Sequence, residues 1–178
     1  MRIEEIDKNL QAASTLNIPD IRYYNALEEP FALYGLYRPR ETGEYRRLPE
    51  NIAESVSLGV RDLSIHTSGG RVRFKTDSPY VAIKAVLLNG GQMPHMPISG
   101  SHGFDLYVYS GVEDIYHNSF FPTCSEPDSF ESVAYFPEKS MREITIHFPL
   151  YSGVKELLIG IAKDAELVLD LLLLEKRR

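Results

Sequence analysis

Hydrophobic and polar residues alternate over short segments along most of the chain, and turn-forming residues separate these segments. The alternation is clearest in Arg71–Thr76 and Met141–Phe148, where apolar side chains would point to one face of a strand and charged ones to the other. The other strand candidates are Phe31–Tyr37, Glu44–Leu48, Leu63–Thr67, Tyr80–Leu88, Phe104–Tyr109, Ile115–Asn118, Phe130–Phe136, Val154–Ile161 and Glu166–Leu174. About ten short strands, with turn signals every ~8–12 residues, predict an all-β fold, a jelly-roll-like β-sandwich with a short N-terminal helix.

Three local patterns add detail to this prediction. Phe31–Tyr37 and Glu44–Leu48 are separated by turn residues and are expected to form a hairpin. Asn51–Asp62 is irregular, and the weak apolar spacing from Ala53 to Val60 fits either a loop or a single turn of helix. Arg2–Ala13 has apolar residues at helical spacing and is the one convincing helix, which Pro19 would end.

The length of the chain favours one domain. With 178 residues it is long enough for a substantial core and short for two domains. We therefore expect an N-terminal arm or helix over residues 1–20 and a single β-sandwich domain over residues 21–178.

Charge and composition exclude several classes of partner. The net charge of −6 argues against nucleic acid, which requires a basic surface to displace counterions from phosphates. One cysteine, Cys124, cannot form an intrachain disulfide. The N-terminus lacks the apolar core of a signal peptide, and the apolar run from Ala165 is far shorter than the ~20 residues that span a bilayer. A cytoplasmic protein with no membrane partner is expected.

The densest group of chemically useful residues lies in Met93–Tyr109, yet it does not match a known catalytic pattern. It contains Ser101 beside His102, but neighbours on an extended chain point to opposite faces, so they would pair only if a turn reoriented them. His95, His102 and Asp105 could converge on a cation, although their spacing matches no familiar ligand pattern and structural histidines are favoured. No cofactor is expected.

A shallow ligand or domain contact remains the better interpretation of this region. Phe104, Leu106 and Val108 would form the core face of one strand, which leaves Asp105 and Tyr107 on its other face. That face could meet solvent, another sheet or another domain. The candidate contact residues for a substrate or a neighbouring domain are His66, Met93, His95, Met96, His102, Asp105 and Tyr107.

Six peptides, in this order along the chain, carry a resemblance to a known family. They are Glu44–Pro49, Leu63–Gly69, Arg71–Thr76, Met93–Pro97, Gly103–Tyr107 and Phe148–Val154. Together they resemble the GxDLY domain that precedes the catalytic domain of SGNH/GDSL-type hydrolases, and the resemblance covers roughly Ile21 to Ile161.

The resemblance implies a jelly-roll sandwich packed on a flavodoxin-like esterase domain that acts on acylated small molecules or carbohydrates. In that family the catalytic serine and the Asp-x-x-His pair belong to the downstream domain, so no catalytic residue carries over to this chain. The leading hypothesis is a non-catalytic domain that helps to shape the cleft of its SGNH catalytic partner. A stand-alone carbohydrate-binding module is the alternative, and a metal-dependent sandwich enzyme is a weaker third.

Overall fold

The computed structural model describes residues 16–88 and 93–169. The helix predicted at Arg2–Ala13 lies outside the described residues. The strands are β1 (Ile21–Asn25), β2 (Ala32–Tyr34), β3 (Arg71–Thr76), β4 (Tyr80–Leu88), β5 (Phe104–Tyr109), β6 (Asp114–Phe120), β7 (Ser129–Tyr135), β8 (Arg142–His147), β9 (Gly153–Ala162) and β10 (Leu167–Val168). The helices are α1 (Pro39–Thr42), α2 (Glu50–Val56), α3 (Leu58–Ser64) and α4 (Ile98–His102).

Two antiparallel sheets pack against each other. The four-stranded sheet has the order β1-β9-β4-β7, and the six-stranded sheet has the order β10-β3-β8-β5-β6, with β2 also paired to β3. Their inner faces share one hydrophobic core. The all-β sandwich predicted from the alternation is confirmed, whereas its jelly-roll character stays a prediction.

The alternation of the sequence matches the burial of its side chains. In β3, Val72, Phe74 and Thr76 are buried while the basic residues between them are half-buried on the outer face. Phe74 meets Phe31 edge to face at 5.2 Å between ring centroids, a favourable geometry for an aromatic pair. Six of the nine residues of β4 are buried, because this strand lies between β9 and β7 in the four-stranded sheet.

The structure does not contain the predicted hairpin or the predicted strand at Leu63–Thr67. β2 pairs with β3 and not with Glu44–Leu48. Within Glu44–Leu48, Tyr45 alone forms a β-bridge, and its partner is Val154. Tyr45 is buried against Phe148, the Tyr37 amide donates to the Arg46 carbonyl, and the Arg47 amide donates to the Ser64 carbonyl. Burial of one aromatic ring and isolated backbone hydrogen bonds, and not a strand ladder, therefore hold this segment.

Asn51–Asp62 and the start of Leu63–Thr67 are helical. α2 and α3 are seven residues each and meet at Ser57, whose side-chain oxygen accepts a hydrogen bond from the Val60 amide at 3.2 Å. Such an N-cap stabilises the first turn of a helix, so α3 begins directly after Ser57. The structure thus has two short helices where the sequence predicted a loop or a single turn.

One edge of the sandwich gathers several loops. β8 ends at His147, which is opposite both Arg71 at the start of β3 and Asp105 near the start of β5. The segments that meet at this edge cover residues 65–70, 93–103 with α4, and 148–152. The Thr67 amide donates to the Ser152 carbonyl, and the Tyr151 amide donates to the Ser101 carbonyl. We call this edge the α4 rim.

Candidate functional site

The segment Met93–His102 projects from the α4 rim. A turn closed by the Met96 amide and the Met93 carbonyl, 3.3 Å apart, precedes α4. Met93 and Met96 are half-buried, while the side chains of Pro94 and His95 are exposed. Residues Met93–Pro97 line an open groove at this point. The tip of the segment is therefore accessible, and two prolines restrict its backbone.

Ser101 and His102 fix the base of this segment inside the protein. Both are buried, and Ser101 Oγ shares a hydrogen bond of 2.6 Å with His102 Nδ1. The two neighbours pair because α4 turns the backbone, which removes the extended geometry that would keep them apart. His102 Nε2 is buried without a hydrogen-bond partner among the described residues. A serine this enclosed is a structural group and not a nucleophile for an external substrate.

His66 and Tyr151 join the segment from neighbouring loops. The Tyr151 amide donates to the Ser101 carbonyl at 3.0 Å, and the Tyr151 ring lies edge-on to His66 at 6.4 Å. Burial lowers the pKa of His66, and the nearby Arg47 and His102 lower it further. His66 is thus held as neutral imidazole near neutral pH.

The peptide Gly103–Tyr107 has a structural explanation at each of its distinctive residues. A side chain on Gly103 would come within 2.1 Å of the Ser99 carbonyl oxygen, so only glycine fits between α4 and β5. Asp105 accepts a hydrogen bond from Ser119 on β6. Leu106 is fully buried in the core.

Asp105 and Tyr107 lie apart from the projecting segment, on the outer face of the six-stranded sheet. The Tyr107 ring packs edge-on to Tyr116 at 5.7 Å and to His147 at 5.2 Å. Burial is the main cause that lowers the pKa of His147, with Arg71 adding to it and the acidic Asp105 opposing it.

The seven predicted contact residues therefore fall into two groups. His66, Met93, His95, Met96 and His102 meet at the α4 rim, whereas Asp105 and Tyr107 face outward beside it. The sequence interpretation missed Tyr151 and His147. The clean alternation of β8 could have placed His147 on the outer face, but no local pattern marks Tyr151 as a partner of α4.

The possible cation site does not form. Across residues 16–88 and 93–169, no group of three or more histidine, cysteine, aspartate or glutamate side chains is placed to hold a metal ion. His102 is enclosed with Ser101, and Asp105 is bonded to Ser119. In the same described part of the chain, no helix has the length and hydrophobicity to cross a membrane.

The family model for the GxDLY N-terminus of SGNH-hydrolase-type esterases matches residues 21–167. The chain is a member of this family. Its GxDLY motif is Gly103–Tyr107, the peptide whose glycine, aspartate and leucine have the structural roles described above. No curated protein matches the chain.

Two solved structures share the fold of this GxDLY domain. A GDSL-like lipase from Bacteroides ovatus has a TM-score of 0.74 at 24% identity, and a salicylyl-acyltransferase from a tetracycline biosynthetic pathway has a TM-score of 0.62 at 18% identity. The matches cover 84% and 86% of this chain but 43% of each solved chain. The chain thus spans less than half the length of either protein.

Proposed function

We propose that this GxDLY domain is the non-catalytic N-terminal part of an SGNH-type esterase, in which it packs on the catalytic domain and lines one wall of the substrate cleft. The observation that carries the proposal is the projecting segment Met93–His102, whose base is fixed by buried hydrogen bonds while its tip stays exposed. A segment built in this way can contact a substrate without a large ordering cost on binding.

The side chains of the tip suit an acylated substrate. Met93 and Met96 are flexible apolar groups that adapt to the shape of an acyl chain or ring. His95 offers an imidazole that can donate or accept a hydrogen bond at an ester carbonyl or a sugar hydroxyl. The solved neighbours, whose descriptions name a lipase and an acyltransferase, support an acyl ester as the substrate class.

Replacement of His95 by alanine in the parent enzyme tests this function. The exposed position of His95 means that folding should be unaffected. Loss of one hydrogen bond to substrate, worth ~0.5–1.5 kcal/mol, should lower kcat/KM roughly 2–10-fold. His117→Ala is the matched control, since His117 is also exposed but lies on β6. Wild-type kinetics in His95→Ala would remove His95 from the cleft.

A stand-alone carbohydrate-binding module is a second candidate, and the outer face of the six-stranded sheet favours it. Tyr107, Tyr116 and His147 form one aromatic cluster there, with the carboxylate of Asp105 nearby. Calorimetric titration of the 178-residue chain with a panel of oligosaccharides separates the two functions. Affinity that Tyr116→Ala abolishes supports a module, and uniform absence of heat rejects it.

A further inference from the structure

The outer face of the six-stranded sheet carries two cross-strand rows of side chains beside the α4 rim. Strand pairing places each member of a row opposite the next, with Cβ atoms ~4.5–5.5 Å apart. The first row, read from β2 to β6, is Tyr34, Arg71, His147, Asp105 and Ser119. The second row, over the same strands, is Ala32, Arg73, Thr145, Tyr107 and Tyr116. We call these ten residues the outer rows.

Arg71 is a cation of the outer rows that lacks a counter-charge. Its guanidinium lies over the Tyr34 ring, 5.3 Å from the centroid, a contact that uses the flat face of the group and leaves its N–H edge available. Within residues 16–88 and 93–169, no carboxylate forms an ion pair with Arg71. By contrast, Lys75 on the same strand pairs with Glu143 at 2.7 Å. Arg71 is therefore held in position with donors free for an anion.

His147 lies between Arg71 and the acidic end of the first row. Asp105, on its other side, already accepts a hydrogen bond from Ser119. After burial, Arg71 has the largest effect on the pKa of His147, larger than that of Asp105 or of Asp114. Since this pKa is lowered, the imidazole is neutral near pH 7 and offers one donor and one acceptor, which suits a ligand hydroxyl.

The second row supplies a buried hydroxyl and an exposed ring. Thr145 lies between Arg73 and Tyr107; it is 1% exposed, and its Oγ1 has no hydrogen-bond partner among the described residues. Movement of either flanking side chain would open this unused hydrogen-bonding group to a ligand. Tyr107 packs edge-on to Tyr116, which is 55% exposed. An exposed aromatic ring beside a few polar groups is the usual composition of a shallow sugar site.

We propose that the outer rows bind a pyranose sugar that carries a carboxylate, an inference that rests on the second candidate function and not on the first. The carboxylate pairs with the guanidinium fork of Arg71, which matches its two oxygens. The sugar ring packs on the exposed tyrosine, and a hydroxyl bonds to His147. Strands in a sheet are ~4.8 Å apart, so Arg71 on β3 and Tyr107 on β5 are separated by ~10 Å, a span that one or two hexuronate units cover.

Two oligosaccharides that differ in one group test this site. We would titrate the 178-residue chain calorimetrically with an α-1,4-linked galacturonic acid trimer and with the corresponding galactose trimer. These trimers differ only in the carboxylate that replaces the C6 hydroxymethyl group. The acidic trimer should bind about tenfold more tightly or better, because hydrogen bonds between charged groups are the stronger ones. Raising the ionic strength from about 0.05 to about 0.5 M should reduce this preference, since salt screens exposed charges.

Arg71→Gln should remove the preference for the acidic trimer and leave the affinity for the neutral trimer unchanged. Arg22→Gln is the matched control, because Arg22 lies over the Tyr24 ring at 5.1 Å in the same type of contact but on β1 of the other sheet. That variant should keep the preference. Each variant loses one cation–π contact, so their thermal unfolding midpoints should change to a similar extent.

Every outcome of these titrations supports or overturns the inference. A preference that Arg71→Gln loses and Arg22→Gln keeps supports the acidic-sugar site. Equal affinity of the wild type for the two trimers overturns the site but leaves a binding module intact. A preference that Arg71→Gln retains, or that both variants lose, also overturns it, because the carboxylate then does not depend on Arg71 specifically. Absence of heat with both trimers overturns the inference together with the module, while the esterase function is tested separately by His95→Ala.

Discussion

Replacement of Gly103 by alanine should destabilise the domain although the backbone there suits any residue. Gly103 has φ −78° and ψ 156°, an extended conformation without strain. The obstacle is space, since an added Cβ would come within 2.1 Å of the Ser99 carbonyl oxygen and 3.3 Å of the Phe120 carbonyl oxygen. Both are backbone atoms, so relief requires α4 to move away from the start of β5.

The magnitude follows from two opposing contributions. Overpacking of a tight site costs ~1–3 kcal/mol, and the contact with backbone places Gly103→Ala toward the upper end. Alanine restricts the unfolded chain and returns ~0.4–1 kcal/mol. The net loss of about 2 kcal/mol corresponds to a decrease in Tm of ~4–8 °C for a domain of this size.

Thermal and urea unfolding followed by circular dichroism measures this loss. Gly59→Ala is the matched control, because its Cβ would meet nothing closer than Ser57 Oγ at 3.9 Å and the residue lies in α3. We expect that variant to be as stable as the wild type or more stable. Exchange of the Tyr151 amide, which donates to Ser101, should accelerate in Gly103→Ala alone. An unfolding midpoint of Gly103→Ala at or above that of the wild type would refute the steric argument.

Two further predictions concern buried polar groups. Ser101→Ala leaves His102 Nδ1 buried without its 2.6 Å partner and should cost ~1–3 kcal/mol in urea unfolding, whereas an unchanged midpoint would show that solvent or a rearranged α4 replaces the bond. The pKa of His147 is about 6.5 in the unfolded chain and lower in the folded domain, chiefly because the side chain is partly buried. As the pH falls below about 7.5, the unfolded chain therefore binds more protons than the folded domain, and the free energy of unfolding should decrease. His147→Gln should reduce this loss, and equal pH slopes for the two proteins would contradict the assignment.

Much of the fold could be predicted because burial on one face of a strand leaves a period of two in the sequence. β3 shows this most clearly, and it pairs along its whole length with β8. β8 alternates in sequence, but in the structure it buries Ile144, Thr145 and Ile146 in succession. The pattern fails between Leu36 and Gly70, where few residues reach the core. In that region the structure depends on individual interactions, such as the N-cap at Ser57 and the burial of Tyr45. A hydrophobic periodicity that is read over many residues does not detect such interactions.

The candidate site was predicted only in part for a related reason. Residues close in sequence, such as His95 and Met96, were placed together because one turn contains them. Contacts across loops were not, because no local pattern links Tyr151 to Ser101. Ser101 and His102 pair because the short helix α4 reorients the backbone, a condition that the sequence alone left open.

The strand order has a consequence for the assembly of the domain during synthesis. β9 lies between β1 and β4 in one sheet, and β8 lies between β3 and β5 in the other. Both β8 and β9 are thus synthesised after the strands on either side of them. Ile21 of β1, for example, cannot pair until its partner Ala162 of β9 has been synthesised. Closure of such long loops is slow, and the early strands keep open hydrogen-bonding edges until then. A ribosome that stalls before residue 153 would present two incomplete sheets, a target for chaperones rather than a partly functional domain.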